Sequence, residues 1–211
     1  VEEAARKLGY TINEQARILR KGAGKIIGVI LPTVECRQYR EFFNSLKYYA
    51  DGHGYSTELY LSNNSPQTEL EMIQKAKSVM VCGIAVITCL NRRNNLYQHS
   101  GLNNVRFVER RPGFPADYYG FDYKLAGIHM AKKILSQNYR NIVVITESEK
   151  YSNEAEYLKG FLQETEKEFC GNILQVTTDI DQVSHSVLNL FASEEEIDVI
   201  VTTNIGFAEK I

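Results

Sequence analysis

Tryptophan is missing from this chain of 211 residues, and prolines number only four. Its four cysteines, Cys36, Cys82, Cys89 and Cys170, stand far apart. Their spacing matches no metal-ligand pattern, which argues against a zinc-held or disulfide-stapled fold and for reduced thiols in a cytoplasmic protein. No apolar run approaches the roughly 20 residues that a membrane-spanning helix needs. The first 21 residues are charged and helix-patterned, without the apolar core of a signal peptide. The four histidines (His53, His99, His129, His185) are scattered, none with a partner at metal-binding distance along the chain. Ser152 and Ser184 lack the flanking glycines of a nucleophile elbow, and no carboxylate pair or nucleophile–base motif can be named. The glycine-containing stretch Gly22–Ile27 precedes its strand and lacks the third glycine of a dinucleotide fingerprint. The 13 tyrosines form no spaced platform for stacking bases. No enzymatic chemistry, no cofactor and no metal are therefore expected.

What is present is an ordinary globular composition, 44% hydrophobic and 24% charged, long enough for one large domain or two small lobes. The formal net charge of −2 is unevenly spread. Residues 1–25 carry six basic side chains (Arg6, Lys7, Arg17, Arg20, Lys21, Lys25) against three acidic ones, and the rest is net negative. A basic arm on an acidic body fits either a polyanionic partner at that end or a solvated helix face.

Val1, Ala4, Ala5 and Leu8 have the i, i+3, i+4, i+7 spacing of a short amphipathic helix that Gly9 ends. A second short helix runs through Glu14, Ala16 and Leu19 before Gly22-Ala23-Gly24 breaks it. From Ile26 the pattern becomes strand and helix in alternation. Strands are expected at Ile26–Leu31, Tyr55–Leu61, Gly83–Thr88, Val105–Glu109, Asn141–Thr146, Asn172–Thr177 and Asp198–Thr203. Helices are expected at Gln38–Gly52 (with Phe42, Phe43, Leu46 and Tyr49 inward), Gln67–Val79, Asp122–Ser136, Asn153–Lys167, Asp181–Ala192 and from Asn204. The continuous apolar strands imply parallel sheets buried on both faces. Arg110–Gly120, which holds Pro112 and Pro115, reads as a crossover. The fold class is α/β, two doubly wound parallel-sheet lobes in tandem: 1–24 a helical head segment and linker, 25–115 the first lobe, 116–211 the second.

The order helix, Leu8-Gly9-Tyr10, basic helix with Asn13, Ala16, Arg17 and Leu19, then Ile27-Gly28-Val29-Ile30-Leu31-Pro32 resembles the head-to-core junction of LacI/GalR transcriptional regulators. Gly120-Phe121-Asp122 with Gly127, Ala131 and Ile142–Ile145, and then Gly160-Phe161, resemble that family's second lobe. The resemblance spans nearly the whole chain; its junction motif is specific, whereas the lobe motifs alone fit many periplasmic-binding-protein folds. It implies a regulator that is cut short inside its helix-turn-helix head and again before its natural end. It implies binding of operator DNA as a homodimer, with Asn13, Ala16, Arg17, Leu19 and Arg20 as the DNA-binding residues of a hinge helix. Leu19 would wedge into the minor groove while the cations neutralise phosphate. It implies a small-molecule, sugar-like effector in the cleft between lobes, at the carboxyl ends of the strands. The effector-binding candidates are Glu109, Arg110, Tyr157 and Asn204. Two departures matter: Tyr157 stands where many members carry an arginine, and Ile205 where many carry an aspartate. Both losses weaken the expectation of a tightly bound free hexose. The alternative is a solute-binding protein of a transport system, which shares the two-lobed fold.

Overall fold

The computed structural model describes residues 24–90, 97, 104–193 and 196–211. The two short helices expected before Gly24 lie outside the described residues, as do Asn13, Ala16, Arg17, Leu19 and Arg20. The described chain runs β1 (Ile26–Leu31), α1 (Arg37–Gly52), β2 (Ser56–Leu61), α2 (Pro66–Ser78), β3 (Gly83–Val86), β4 (Val105–Val108) and β5 (Tyr118–Tyr119). It continues through α3 (Tyr123–Leu135), β6 (Asn141–Thr146), α4 (Ser152–Thr165), β7 (Asn172–Thr177), α5 (Val183–Ala192), β8 (Val199–Thr202) and α6 (Ile205–Lys210). The first five strands form one parallel sheet in the order β2-β1-β3-β4-β5, and the last three a second in the order β7-β6-β8.

Period-two alternation explains why the central strands are apolar throughout. Along β1, Val29 and Leu31 pack with Tyr39 and Ile87 toward α1, while Ile30 packs with Ile73, Ile84 and Val86 toward α2. In β6, Val143 and Ile145 join one cluster with Val183 and Phe207, and Ile142 and Val144 join another with Phe161. Each of these fully buried side chains contributes roughly 1.5–3 kcal/mol.

The helices start where local chemistry stops the preceding turn. Ser65 accepts the Thr68 N–H and Pro66 supplies the first helical φ of α2. Asp122 accepts the Leu125 N–H at the start of α3. Where α3 crosses α4 the backbones touch: a Cβ on Gly127 would lie 2.1 Å from the Tyr157 carbonyl oxygen, and one on Gly160 2.0 Å from that of Lys124. Only glycine fits at that crossing.

Four details differ from the expectation. Strand β3 stops at Val86 instead of Thr88, because the Cys89 and Leu90 N–H groups turn to the Glu69 carboxylate and the Thr88 hydroxyl. Helix α5 begins at Val183, not Asp181, because Asp179 Oδ1 takes the N–H groups of Asp181 and Gln182 in a preceding turn. Tyr49 is exposed: Tyr39, Phe43, Leu46 and Ala50 make the inward stripe of α1, and Ala50 occupies the turn assigned to Tyr49. Finally, Tyr118 and Tyr119, in the segment read as a crossover, form β5 alongside Phe107 and Val108. The first sheet thus extends to Tyr119, beyond the expected divide at 115/116.

Candidate functional site

Because every strand in each sheet is parallel, the loops after their carboxyl ends gather on one side, and here the two lobes face each other across those loops. A cavity of about 330 Å³ lies between them. Its first-lobe wall includes Tyr39 and Asn64, and its second-lobe wall Glu147, Asp179, Asp181 and Asn204. A larger hollow of about 460 Å³, beside Asn141, Asn172 and Glu196, sits at the opposite ends of β6 and β7, where no such loops converge.

Two buried carboxylates stiffen the walls. In the first lobe Glu69, on α2, accepts from the Thr88 hydroxyl, the Cys89 N–H (both 2.7 Å) and the Tyr97 hydroxyl. In the second, Glu154, on α4, accepts from the Glu147 N–H at 3.0 Å and from the Thr203 hydroxyl, and so ties together the loops after β6 and β8. Burial pushes the Glu154 carboxyl above its ordinary pKa, against the Thr203 and Glu147 bonds, which lower it.

Arg110 joins the two walls. Its side chain is 1% exposed. Nη1 donates to Asn64 Oδ1 at 2.8 Å; Nη2 donates to Glu147 Oε2 at 2.8 Å and to the Tyr39 hydroxyl at 3.1 Å. Asn64 Nδ2 closes the ring by donating to Glu147 Oε1 at 2.7 Å. The guanidinium also lies 3.7 Å from the centroid of the Tyr151 ring, a second-lobe aromatic face for a desolvated cation. Burial by itself would lower the Arg110 pKa, but the surrounding Tyr39 and Glu147 oxygens more than offset it and keep the group charged. Burial likewise pushes the Tyr151 hydroxyl up to about 12 and the Cys36 thiol above its usual value, so neither ionises at neutral pH.

A local backbone reversal aims Arg110. Glu109 has φ +61°, in the left-handed region, and the Arg110 N–H folds back to the Val108 carbonyl at 2.6 Å. Non-glycine residues hold that conformation where surrounding bonds enforce it. Here the Glu109 N–H donates to the Tyr119 carbonyl, and the Tyr118 hydroxyl donates to the Glu109 carbonyl.

Of the four effector-site candidates, Asn204 alone lines the cavity; its Oδ1 caps α6 by accepting the Phe207 N–H. Arg110 stands behind the wall, committed to protein partners. Glu109 is 8% exposed; one carboxylate oxygen, Oε2, has no partner, and burial raises its pKa. Tyr157 is not brought to the cleft. It packs with Ile142, Val144, Leu158 and Phe161 in the second lobe's core, so its ring offers no stacking face. Its spacing to Phe161, one helical turn, places both on the buried face of α4. Asn64, Asp179 and Asp181 were missed, although they follow the carboxyl ends of β2 and β7 and that position was available in the sequence. Glu147, directly after the carboxyl end of β6, also lines the cavity and was not among the candidates.

No family model matches the chain. Among curated proteins it is similar to the HTH-type transcriptional regulator GntR of Escherichia coli K12, 24% identical over 147 residues. That stretch is 69% of this chain and 44% of the regulator, so the chain matches less than half of the relative's length. Among solved structures it is similar to the Cra transcriptional dual regulator of Pseudomonas putida in complex with fructose 1-phosphate. The TM-score is 0.80 at 22% identity, over 88% of this chain and 71% of that one. A LacI-family transcriptional regulator from Silicibacter pomeroyi gives a TM-score of 0.79 at 18% identity, over 99% and 65% of the two chains. An ABC transporter solute binding protein from Mycobacterium smegmatis with bound glycerol gives 0.78 at 15% identity, over 88% and 68%.

Proposed function

We infer that this chain, which groups with LacI/GalR-type transcriptional regulators by its sequence relatives and its fold, is the effector-sensing core of a ligand-responsive regulator that binds operator DNA as a homodimer. The observation that carries the reading is the seam itself. Two parallel-sheet lobes meet over a polar cavity, and Arg110, Asn64 and Glu147 bridge them. A small polar effector in that cavity would contact Asn204, Asn64 and Glu147 directly, with Arg110 acting through Glu147 and Glu109 supporting the turn that aims it. By strengthening or displacing the bridge, the effector shifts the population of lobe arrangements, and the two arrangements present the DNA-binding segments differently. Residues 1–24 would form the end of the helix-turn-helix head, the hinge helix and the linker, with the first lobe at 25–119 and the second from 120. Tyr48 and Tyr49, 76% and 66% exposed on α1, would contribute to the dimer interface. The cavity need not take the ligand of any relative. The Pseudomonas regulator is complexed with a phosphosugar, whereas no cation lines this cavity among the described residues.

A second reading, a solute-binding protein of a transport system, is favoured by the Mycobacterium neighbour, which has the same fold. One experiment separates the two. DNA is selected from a random pool with the intact protein, and binding to the selected sites is remeasured with small polar compounds that raise its melting temperature. A regulator of this kind selects a site with twofold symmetry, and a bound effector changes its DNA affinity by about fivefold or more. Compounds that stabilise the protein while no sequence is enriched would overturn the regulator in favour of the solute-binding protein.

A further inference from the structure

We propose that the inter-lobe cavity selects small polar compounds bearing an ammonium group and rejects their anionic counterparts. The proposal deepens the effector-cleft reading and rests on it. Three carboxylates line the cavity, those of Glu147, Asp179 and Asp181, while no lysine, arginine or histidine does among the described residues. The one buried cation nearby, Arg110, is turned away from the ligand space by its bonds to Glu147, Asn64 and Tyr39. It therefore cannot serve as the bidentate clamp that a carboxylate or phosphate ligand needs without giving up the bridge between lobes.

Asp179 spends one oxygen, Oδ1, on the N–H groups of Asp181 and Gln182, at 3.0 and 2.9 Å; Oδ2 enters no hydrogen bond with the described residues. Asp181 is loosely countered at the rim by Lys210, whose Nζ lies 3.5 Å from Oδ1. Against these stand neutral groups suited to hydroxyls: the Tyr39 hydroxyl, which accepts from Arg110 and keeps its proton free to donate, and the Asn204 amide, whose oxygen is taken by the cap. A ligand with hydroxyls and one ammonium group finds a partner for each. One with a carboxylate or phosphate meets three carboxylates and no cation in the cavity wall, so its charge goes uncompensated, and an unpaired anion in a part-closed cleft is expensive.

The test holds the skeleton fixed and changes only charge. Glucose, glucosamine and glucuronate, all pyranoses, are titrated calorimetrically into the intact protein at pH 6.5, where an amine of pKa near 8 is charged, at low and high salt. Glucosamine is expected to bind about tenfold tighter than glucose and glucuronate about tenfold weaker, each step being near 1.4 kcal/mol. Added salt should shrink both gaps. In Asp179→Asn/Asp181→Asn, whose asparagine at 179 keeps the turn's acceptor, the preference for glucosamine over glucose, both measured in that variant, should fall below about threefold. Glucuronate binding as well as glucose, or a glucosamine preference that survives the double substitution, overturns the charge selection and leaves the cleft as an effector site. No binding of any of the three at about 10 mM, a free energy weaker than about −3 kcal/mol, overturns the inference and counts against the cleft reading with it.

Discussion

Substituting Arg110 by methionine tests whether the bridge across the seam is a real coupling. The change keeps most of the apolar stem and removes the charge and the donors to Asn64, Glu147 and Tyr39. At the observed 2.8 Å the ion pair with Glu147 has a gross Coulomb attraction of about 6 kcal/mol at an effective dielectric of about 20. Desolvating a guanidinium that is 1% exposed costs several kcal/mol, so the pair as a whole is worth little more than an apolar pair of the same size. Removing one partner is another matter, because it leaves the other charge uncompensated. Glu147 is 12% exposed and borders the cavity, so water relieves part of that cost. The expected loss sits at the lower end of the range for a broken buried pair, about 3 kcal/mol.

The assay is urea unfolding of Arg110→Met, Glu147→Met and the double variant, followed by far-ultraviolet circular dichroism. Each single variant should lose about 2–3 kcal/mol, and the double should return to within about 1 kcal/mol of the parent, giving a coupling of several kcal/mol. Solution scattering adds a readout that mere core damage would not give: the single variants should show a larger radius of gyration, as the lobes part. Additive losses in the cycle, or a radius unchanged in all three variants, would refute the bridge.

Gly127→Ala should cost about 3 kcal/mol, because its Cβ would meet α4 backbone at 2.1 Å and the helices must separate. Gly52→Ala, with nothing within 4 Å of the added carbon, should instead stabilise by about 0.5 kcal/mol; thermal melts in which the two behave alike would rule out the close-approach argument. Glu109 is expected to make stability fall as pH rises. Burial raises its pKa in the fold, so between the ordinary carboxylate value and the raised one the native state holds more protons than the unfolded chain. Glu109→Gln should therefore gain about 1 kcal/mol at pH 7, by removing a charge from a site where Oε2 has no partner, and that gain should vanish below about pH 4. A loss of stability at pH 7 would contradict this.

The frame was legible because it follows from periodicity. Runs such as Ile26–Leu31 and Asn141–Thr146 are apolar at consecutive positions, which a parallel strand covered on both faces requires, and their bounds coincide with the observed β1 and β6. Gly127 and Gly160, noted for a family resemblance, prove to be the contact between α3 and α4. The short strand β5 was not legible, since two residues in a proline-containing segment carry no period. Nor was the placement of Tyr157. A tyrosine has both a ring to bury and a hydroxyl to expose, and the resemblance suggested the cleft while the turn it shares with Phe161 favoured the core, which prevailed.

Within the site, position was legible and direction was not. The sequence locates Glu109-Arg110 at the end of a strand, but a left-handed φ at a glutamate has no sequence signature, and that angle decides where the guanidinium points. The same geometry decides what a ligand can do. Glu69 and Glu154 each hold the cleft loops of one lobe to a helix of that lobe, so each wall moves as a unit. Among the described residues, the contacts that cross between the walls include Arg110 and Asn64 with Glu147, Arg110 over the Tyr151 ring, the Arg111 N–H with Ser152 Oγ at 2.6 Å, Ile180 packed against the first-lobe cluster of Cys36 and Tyr39, and the surface pairs Arg111–Glu156 at 3.4 Å and Arg37–Glu209 at 3.2 Å. The surface pairs are worth under about 1 kcal/mol each, so they do not hold the lobes by themselves. Among the described residues Glu147 alone at once lines the cavity, receives Arg110 and is tied through its backbone to Glu154, so the proposed control of the lobe arrangement rests on it. On the proposed effector reading, a ligand would act on the seam through that carboxylate, either by competing for it or by adding a second donor to it.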